Sequence, residues 1–189
     1  PGEAERVAEV RRLIETGVDW PCELLTHYAP ANLGCRERIA SGLNWAFEQV
    51  EEAIILEDDT LPDPSFFPFC ETLLERYRYD HRVLHIAGSN LAPGVLRGEA
   101  AYGFSRQAAI WGWATWRRAW RHYDLPMATW DARQPAFRAS FASRWEAQFW
   151  TPILNEARLR PEAVNTWDFS WTYTCRSLGG YCVVPRKNL

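Results

Sequence analysis

No apolar run in the chain approaches the ~18 residues a membrane-spanning helix requires, and no basic-then-apolar leader opens it. Those absences point to a cytoplasmic protein, or to a soluble piece of a larger one peripheral to a membrane. Positive charge is not in excess either: 21 Lys and Arg stand against 24 Asp and Glu, a net charge of −3. Such a balance lacks the basic footprint of a nucleic-acid binder, so no nucleic-acid partner is expected. The five cysteines (Cys22, Cys35, Cys70, Cys175, Cys182) contain no C-x-x-C pair and are odd in number. That pattern argues against a disulfide framework or a structural zinc site, and leaves buried free thiols in a reducing compartment as the expectation. Internal repeats, low-complexity segments and a Gly-rich N-terminal loop are all missing.

What is present suits one globular domain. Hydrophobic residues make up 47% of 189 and charged residues 24%, enough for a full core. Eleven tryptophans are far above ordinary usage. Rings of that size mostly pack in cores, and sugar-handling proteins also stack them on pyranose faces. Arginines gather at Arg36 with Arg38, and at Arg117, Arg118 and Arg121. Solvated helix faces and contacts to a phosphate-bearing small ligand are the two readings of those groups.

Periodicity predicts helices over residues 3–16, 35–50 and 65–79, and strands over 22–28, 53–57 and 83–87. A further strand is expected at 100–105, a helix at 113–122 with Trp113, Trp116 and Trp120 on one face, and helices between 125 and 160. A last helix from Asp168 to about Leu178 leads through Gly179-Gly180 into a strand at 181–185. Alternation of this kind implies an α/β fold, an open and mostly parallel sheet with helices on both faces. The run AIILE is branched and apolar throughout, which suits a parallel strand buried on both faces. The pattern opens on a helix and stops after a strand, so a domain lacking its first strand and its C-terminal end is expected.

The chemistry is concentrated after AIILE. Glu57, Asp58 and Asp59 follow that strand directly, and ligands of open α/β sheets bind outside the carboxyl ends of strands. Adjacent carboxylates repel one another unless a cation compensates them. Oxygen-only ligands select Mg²⁺ or Mn²⁺. A solvated acidic turn capping the next helix is the competing reading. Asp63, in D-P before a helix, reads as a turn residue, with Ser65 as the helix cap. His85 alternates within a strand and reads as a core residue.

The segment ILEDDTLPDPSFFPFC (55–70) resembles the metal-binding segment of GT-A glycosyltransferases, in particular N-acetylglucosaminyltransferase-type enzymes and related bacterial sugar transferases. The likeness continues through HIAGSN (85–90), WGWATWRRAW (111–120) and TWDFSWTYTCRSLGGYCVVPRKNL (166–189), and is poor over 125–160. It implies that Asp59 ligates the metal directly and that Asp58 assists through the metal or its waters. Glu57 would hydrogen-bond the donor sugar, Arg36 would lie near the nucleotide, and Trp111, Gly112 and Trp113 would lie by the donor sugar. Asp168, in W-D-x-x-W, matches the acid that serves those enzymes as catalytic base, although they read W-D-D-W. The implied partners are a nucleoside-diphosphate sugar, a UDP-sugar by the likeness, and a carbohydrate or glycoconjugate acceptor, with Trp167 and Trp171 flanking the acceptor. A sugar nucleotidyltransferase and a non-catalytic carbohydrate-binding module are the alternatives. The first would release pyrophosphate, and the second is usually a β-sandwich.

Overall fold

The structure, a computed structural model, describes residues 2–92, 94 and 99–189. Two compact units make up the chain, one ending at Pro30 and the other spanning Ala31–Leu189. The first unit holds helix α1 (Glu3–Gly17), whose first turn carries Glu3 and Glu5 where negative charge favours the helix dipole. Its apolar residues Val7, Val10, Leu13 and Ile14 stay 42–55% exposed. Residues 22–28, expected as a strand, form none. They have no ladder partner, and a strand without one has nowhere to place its backbone hydrogen bonds. Arg11 secures the end of this segment, donating to the Ala29 carbonyl at 3.4 Å and covering the Tyr28 ring.

The second unit runs α2 (Gly34–Gln49), β1 (Glu52–Ile55), α3 (Phe66–Tyr77), β2 (Val83–Ala87), β3 (Tyr102–Ser105) and β4 (Trp113–Trp116). It continues with α4 (Arg117–Trp120), α5 (Trp130–Ala139), α6 (Arg144–Leu159), α7 (Asp168–Ser177) and β5 (Tyr181–Pro185). The five strands form one open mixed sheet in the order β1-β4-β2-β5-β3. Only β2 and β5 pair in parallel; β1 with β4, β4 with β2, and β3 with β5 are antiparallel. The mostly parallel sheet expected from the sequence is therefore corrected to a mixed one. Nor is β1 a parallel strand buried on both faces. It is an edge strand, half-buried along its length, and bonded only to antiparallel β4.

The expected helix over 113–122 is also corrected. Trp113–Trp116 are a strand wholly inside the protein, and only Arg117–Trp120 turn helically. Burial on both faces removes the alternation that marks a strand, and aromatic residues favour pleated surfaces. Trp113 consequently faces one side of the sheet and Trp116 the other. Arg118 does not wait for a ligand. Its guanidinium donates to the carbonyls of Tyr77, Arg78 and Val83 at 2.7–3.0 Å and lies over the Trp116 ring. It thereby satisfies carbonyls at the end of α3, where positive charge suits the helix dipole. Arg117 likewise pairs with Glu51 and donates to the Val50 carbonyl.

Helices cover both faces, as expected. On one, Leu43 and Phe47 of α2, Trp120 of α4 and Trp171 of α7 pack over Trp113, Leu84 and Cys182. On the other, Phe66, Cys70, Leu73 and Leu74 of α3 pack over Val83, Ile86, Ala114, Trp116 and Val183. A third cluster, including Trp130, Phe137, Leu154 and Tyr173, joins α5, α6 and α7. All five cysteines are free, but Cys22 and Cys35 are exposed rather than buried.

The β2–β5 register shifts between Val83 and His85, so Leu84 and His85 both meet the Trp113 side. His85 is wholly buried, as a satisfied core residue. Its Nε2 bonds the Ala109 carbonyl at 2.9 Å, and its Nδ1 accepts from Trp171 Nε1 at 3.1 Å. These partners describe a neutral ring, and burial pushes its pKa down to about 4. The unfolded chain binds the proton first, so this stabilisation is complete above about pH 6.5 and is lost as pH falls toward 4. We expect about 2.5 kcal/mol to disappear between pH 7.5 and 4.5, read by urea unfolding. His85→Gln, which keeps a donor and an acceptor without titrating, should flatten that slope. Equal slopes for the two proteins would refute this account.

Candidate active site at the carboxyl ends of the strands

Strands β1, β2 and β5 run in one direction, so their carboxyl ends open on the same side of the sheet. The register makes this concrete, since Ile55 and Ala87 both pair with Trp113. Three backbone segments meet at this point. After β1 the chain turns over Glu57–Thr60, closed by the Thr60 N–H donating to the Glu57 carbonyl at 3.1 Å. After β2, the Gly88 N–H donates to the Gly112 carbonyl at 2.7 Å, and the Ser89 hydroxyl donates to the Trp111 carbonyl at 3.0 Å. Gly88 is obligatory here. A Cβ would lie 2.7 Å from the Phe66 ring and 2.8 Å from the Gly112 oxygen. Gly112 has a left-handed φ of 65° and packs beside Leu56 and Thr60, which brackets the acidic turn.

Asp168 arrives from a different direction, at the first position of α7. Trp167 occupies the cap position, and the Asp168 carboxylate accepts a hydrogen bond from the Thr166 hydroxyl. The start of α2 is drawn to the same place. Gly34 takes φ 72°, and the Asn165 carboxamide oxygen accepts from the Arg36 N–H at 3.1 Å. Asn165 thus serves α2 as a cap supplied by the loop before α7.

The electrostatics register this convergence. The Glu57 carboxyl is held above its ordinary pKa, first by burial and then by the charges of Asp59, Asp168 and Asp58. The Cys35 thiol is also pushed up, by lost hydration and by Glu57, Asp168 and Asp58. Three consecutive carboxylates and a fourth over a hundred residues away therefore share one field. None of the salt bridges among the described residues ends on any of the four.

Such uncompensated oxygen-only donors fit a hard divalent cation. Among the described residues, however, no group of three or more His, Cys, Asp or Glu makes a ready-made metal cage.

The remaining sequence candidates fall into two groups. Trp111 is half exposed beside the acidic turn and available to a ligand. Trp113, Trp167 and Trp171 are wholly buried and stack with Trp120 and His85 beneath the surface. Arg36 is close enough to bear on Tyr123, as Asp168 does, but its guanidinium is engaged by Glu37 at 2.6 Å and the Leu125 carbonyl at 2.9 Å. Asp63 behaves as the turn residue expected, accepting from both the N–H and the hydroxyl of Ser65.

Sequence reasoning missed Cys35, Thr60, Ser89 and Asn165. The Thr60 hydroxyl is buried without a partner next to the acids. Only Gly34, a break before a helix, hinted that its neighbours mattered; the others carry no local pattern. No helix among the described residues is long and apolar enough to cross a membrane. No family model matches the chain, and no curated protein matches it.

Proposed function

We propose that the chain is a glycosyltransferase of the GT-A type, moving a sugar from a nucleoside-diphosphate donor to an acceptor hydroxyl with inversion. The observation that supports this reading is that Asp58, Asp59 and Asp168, the last over a hundred residues away in sequence, all bear on the Glu57 carboxyl, while Glu57, Asp58 and Asp168 bear on Cys35. An acidic turn at a strand end suits a metal-bound diphosphate, and a separate carboxylate suits proton removal. One site needs both for this reaction.

In this reading the Asp168 carboxylate takes the proton of the acceptor hydroxyl as that oxygen attacks the anomeric carbon. The bond to the nucleoside diphosphate breaks on the opposite face. Asp59 and Asp58 would hold Mn²⁺ or Mg²⁺, which when bound offsets the charge growing on the departing diphosphate. Glu57 would hydrogen-bond donor-sugar hydroxyls through its carboxylate oxygens. Trp111, half exposed beside Gly112, forms the wall beside the sugar. Arg36, already committed to Glu37 and Leu125, contributes a fixed positive charge towards the nucleotide. Five unpaired thiols support a reducing, cytoplasmic setting. UDP is favoured as the nucleotide by family resemblance.

Incubation with Mn²⁺ and a panel of nucleotide sugars tests the reading through its products. Free nucleoside diphosphate supports transfer, whereas pyrophosphate released in a parallel incubation with nucleoside triphosphates and sugar 1-phosphates would make the chain a nucleotidyltransferase. Calorimetry tests the metal assignment independently. Asp59→Ala should weaken Mn²⁺-dependent UDP binding by at least ~10–100-fold, since loss of an outer-shell partner alone costs a metal site that much. Unchanged affinity would move the metal away from this turn.

A further inference from the structure

A second cavity adjoins the acidic site and plays no part in the account above. It encloses about 260 Å³ between the loop after β2, the end of β3 and β5. Leu91, Ala92, Phe104, Ala109 and Val184 give it an apolar lining, and Ser89, Asn90, Ser105 and Gln107 give it polar groups. No charged side chain among the described residues lines it.

Most of those polar groups are already occupied. The Asn90 carboxamide donates to the Pro185 carbonyl at 2.9 Å and accepts from the Ala92 N–H at 2.9 Å, which shapes the wall. The Ser105 hydroxyl accepts from the Gln107 N–H at 2.9 Å. The Gln107 carboxamide makes no hydrogen bond among the described residues, and so keeps a donor and an acceptor for a ligand. Ser89 joins the cavity to the acidic site, because it lines the first and bonds the Trp111 carbonyl that borders the second.

We infer that this cavity binds the acceptor, taking a neutral, apolar-faced group about the size of one ring that neighbours the hydroxyl under attack. Its volume lies just below the ~300 Å³ at which pockets for drug-sized ligands begin, which matches one ring rather than a chain of them. With no countercharge among the described lining residues, a phosphate or carboxylate is disfavoured there, since a charge taken out of water unpaired is costly. One free carboxamide in an apolar setting instead selects a group with one or two hydrogen-bonding atoms. Naming the ligand an acceptor rests on the glycosyltransferase reading; the cavity's chemistry does not.

The test separates the two. Metal-free protein, without donor, is titrated with phenyl β-D-glucopyranoside, methyl β-D-glucopyranoside and phenyl phosphate, following the methyl NMR signals of Leu91, Ala92, Ala109 and Val184. Expected is saturable perturbation of these signals by the phenyl glycoside, at least fivefold tighter than the methyl glycoside, with no response to phenyl phosphate. Gln107→Ala, at a partly exposed position, should weaken that binding at least fivefold, and Leu91→Trp, which narrows the mouth, should abolish it. Equal binding of the two glycosides, preference for phenyl phosphate, or shifts confined to other residues would overturn the proposal. Cavity binding by a protein that shows no Mn²⁺-dependent UDP binding would sink the transferase reading while leaving the cavity's specificity standing.

Discussion

Asp168→Asn should lower kcat by ~10²–10⁴-fold, the usual worth of a positioned base, while leaving Mn²⁺-dependent UDP binding intact. The change is nearly isosteric, and the new carboxamide oxygen still accepts from the Thr166 hydroxyl. Local structure at the start of α7 is therefore preserved while the proton acceptor is lost. The rate effect corresponds to ~3–5 kcal/mol of barrier. Three measurements isolate it: kcat at saturating donor, the calorimetric affinity for UDP with Mn²⁺, and the thermal midpoint. A deficit under tenfold with the fold intact would place the base elsewhere. A deficit matched by an equal fall in UDP affinity would make Asp168 part of the donor site instead.

Trp113→Ala should cost ~3–5 kcal/mol of stability, read by chemical denaturation. Its ring lies at the centre of the largest aromatic stack, with His85 at 5.0 Å, Trp167 at 5.5 Å, Trp171 at 5.7 Å and Trp120 at 6.3 Å between centroids. Truncation there opens a hole walled by four rigid rings, which cannot collapse to fill it. The indole N–H of Trp113 is buried with no partner, which makes a second substitution informative. Trp113→Phe removes that donor together with some volume, and should cost less than half as much. If Phe proved as damaging as Ala, the nitrogen would have a partner, and the ring's importance would lie in that bond rather than in packing.

The sequence made the helices and the acidic turn legible, but not the pairing of strands. Ile39, Leu43 and Phe47 recur every four residues, and α2 appears where that spacing puts it. Glu57, Asp58 and Asp59 stand where an apolar run stops, and they mark a strand end in the fold as well. The spacing of Trp113, Trp116 and Trp120 misled, because three buried rings at helical intervals fit a strand followed by one helical turn equally well. Strand order was illegible for a deeper reason. β4 enters between β1 and β2 from far along the chain, and nothing in AIILE or VLHIA encodes a neighbour that arrives later. Residues 22–28 show the converse, since an apolar run becomes a strand only where a ladder partner exists. Asp168 was singled out through family likeness alone. Its nearness to Glu57 depends on Gly34 and Asn165, which no periodicity marks.

The crossing of Gly88 with Gly112 has a consequence for how ligands would communicate. The two loops share a 2.7 Å backbone bond, and the space at Gly88 is too small for even a methyl group. Ser89 follows one strand of this crossing into the apolar cavity, and Gly112 carries the other past Thr60 to the acids. A guest that shifts either loop must drag the other, so cavity and acidic turn should not fill independently. Whatever factor a cavity guest imposes on the affinity for UDP and Mn²⁺, those ligands must return to the guest unchanged. Order of addition would then govern the rates of filling, but not the final occupancy.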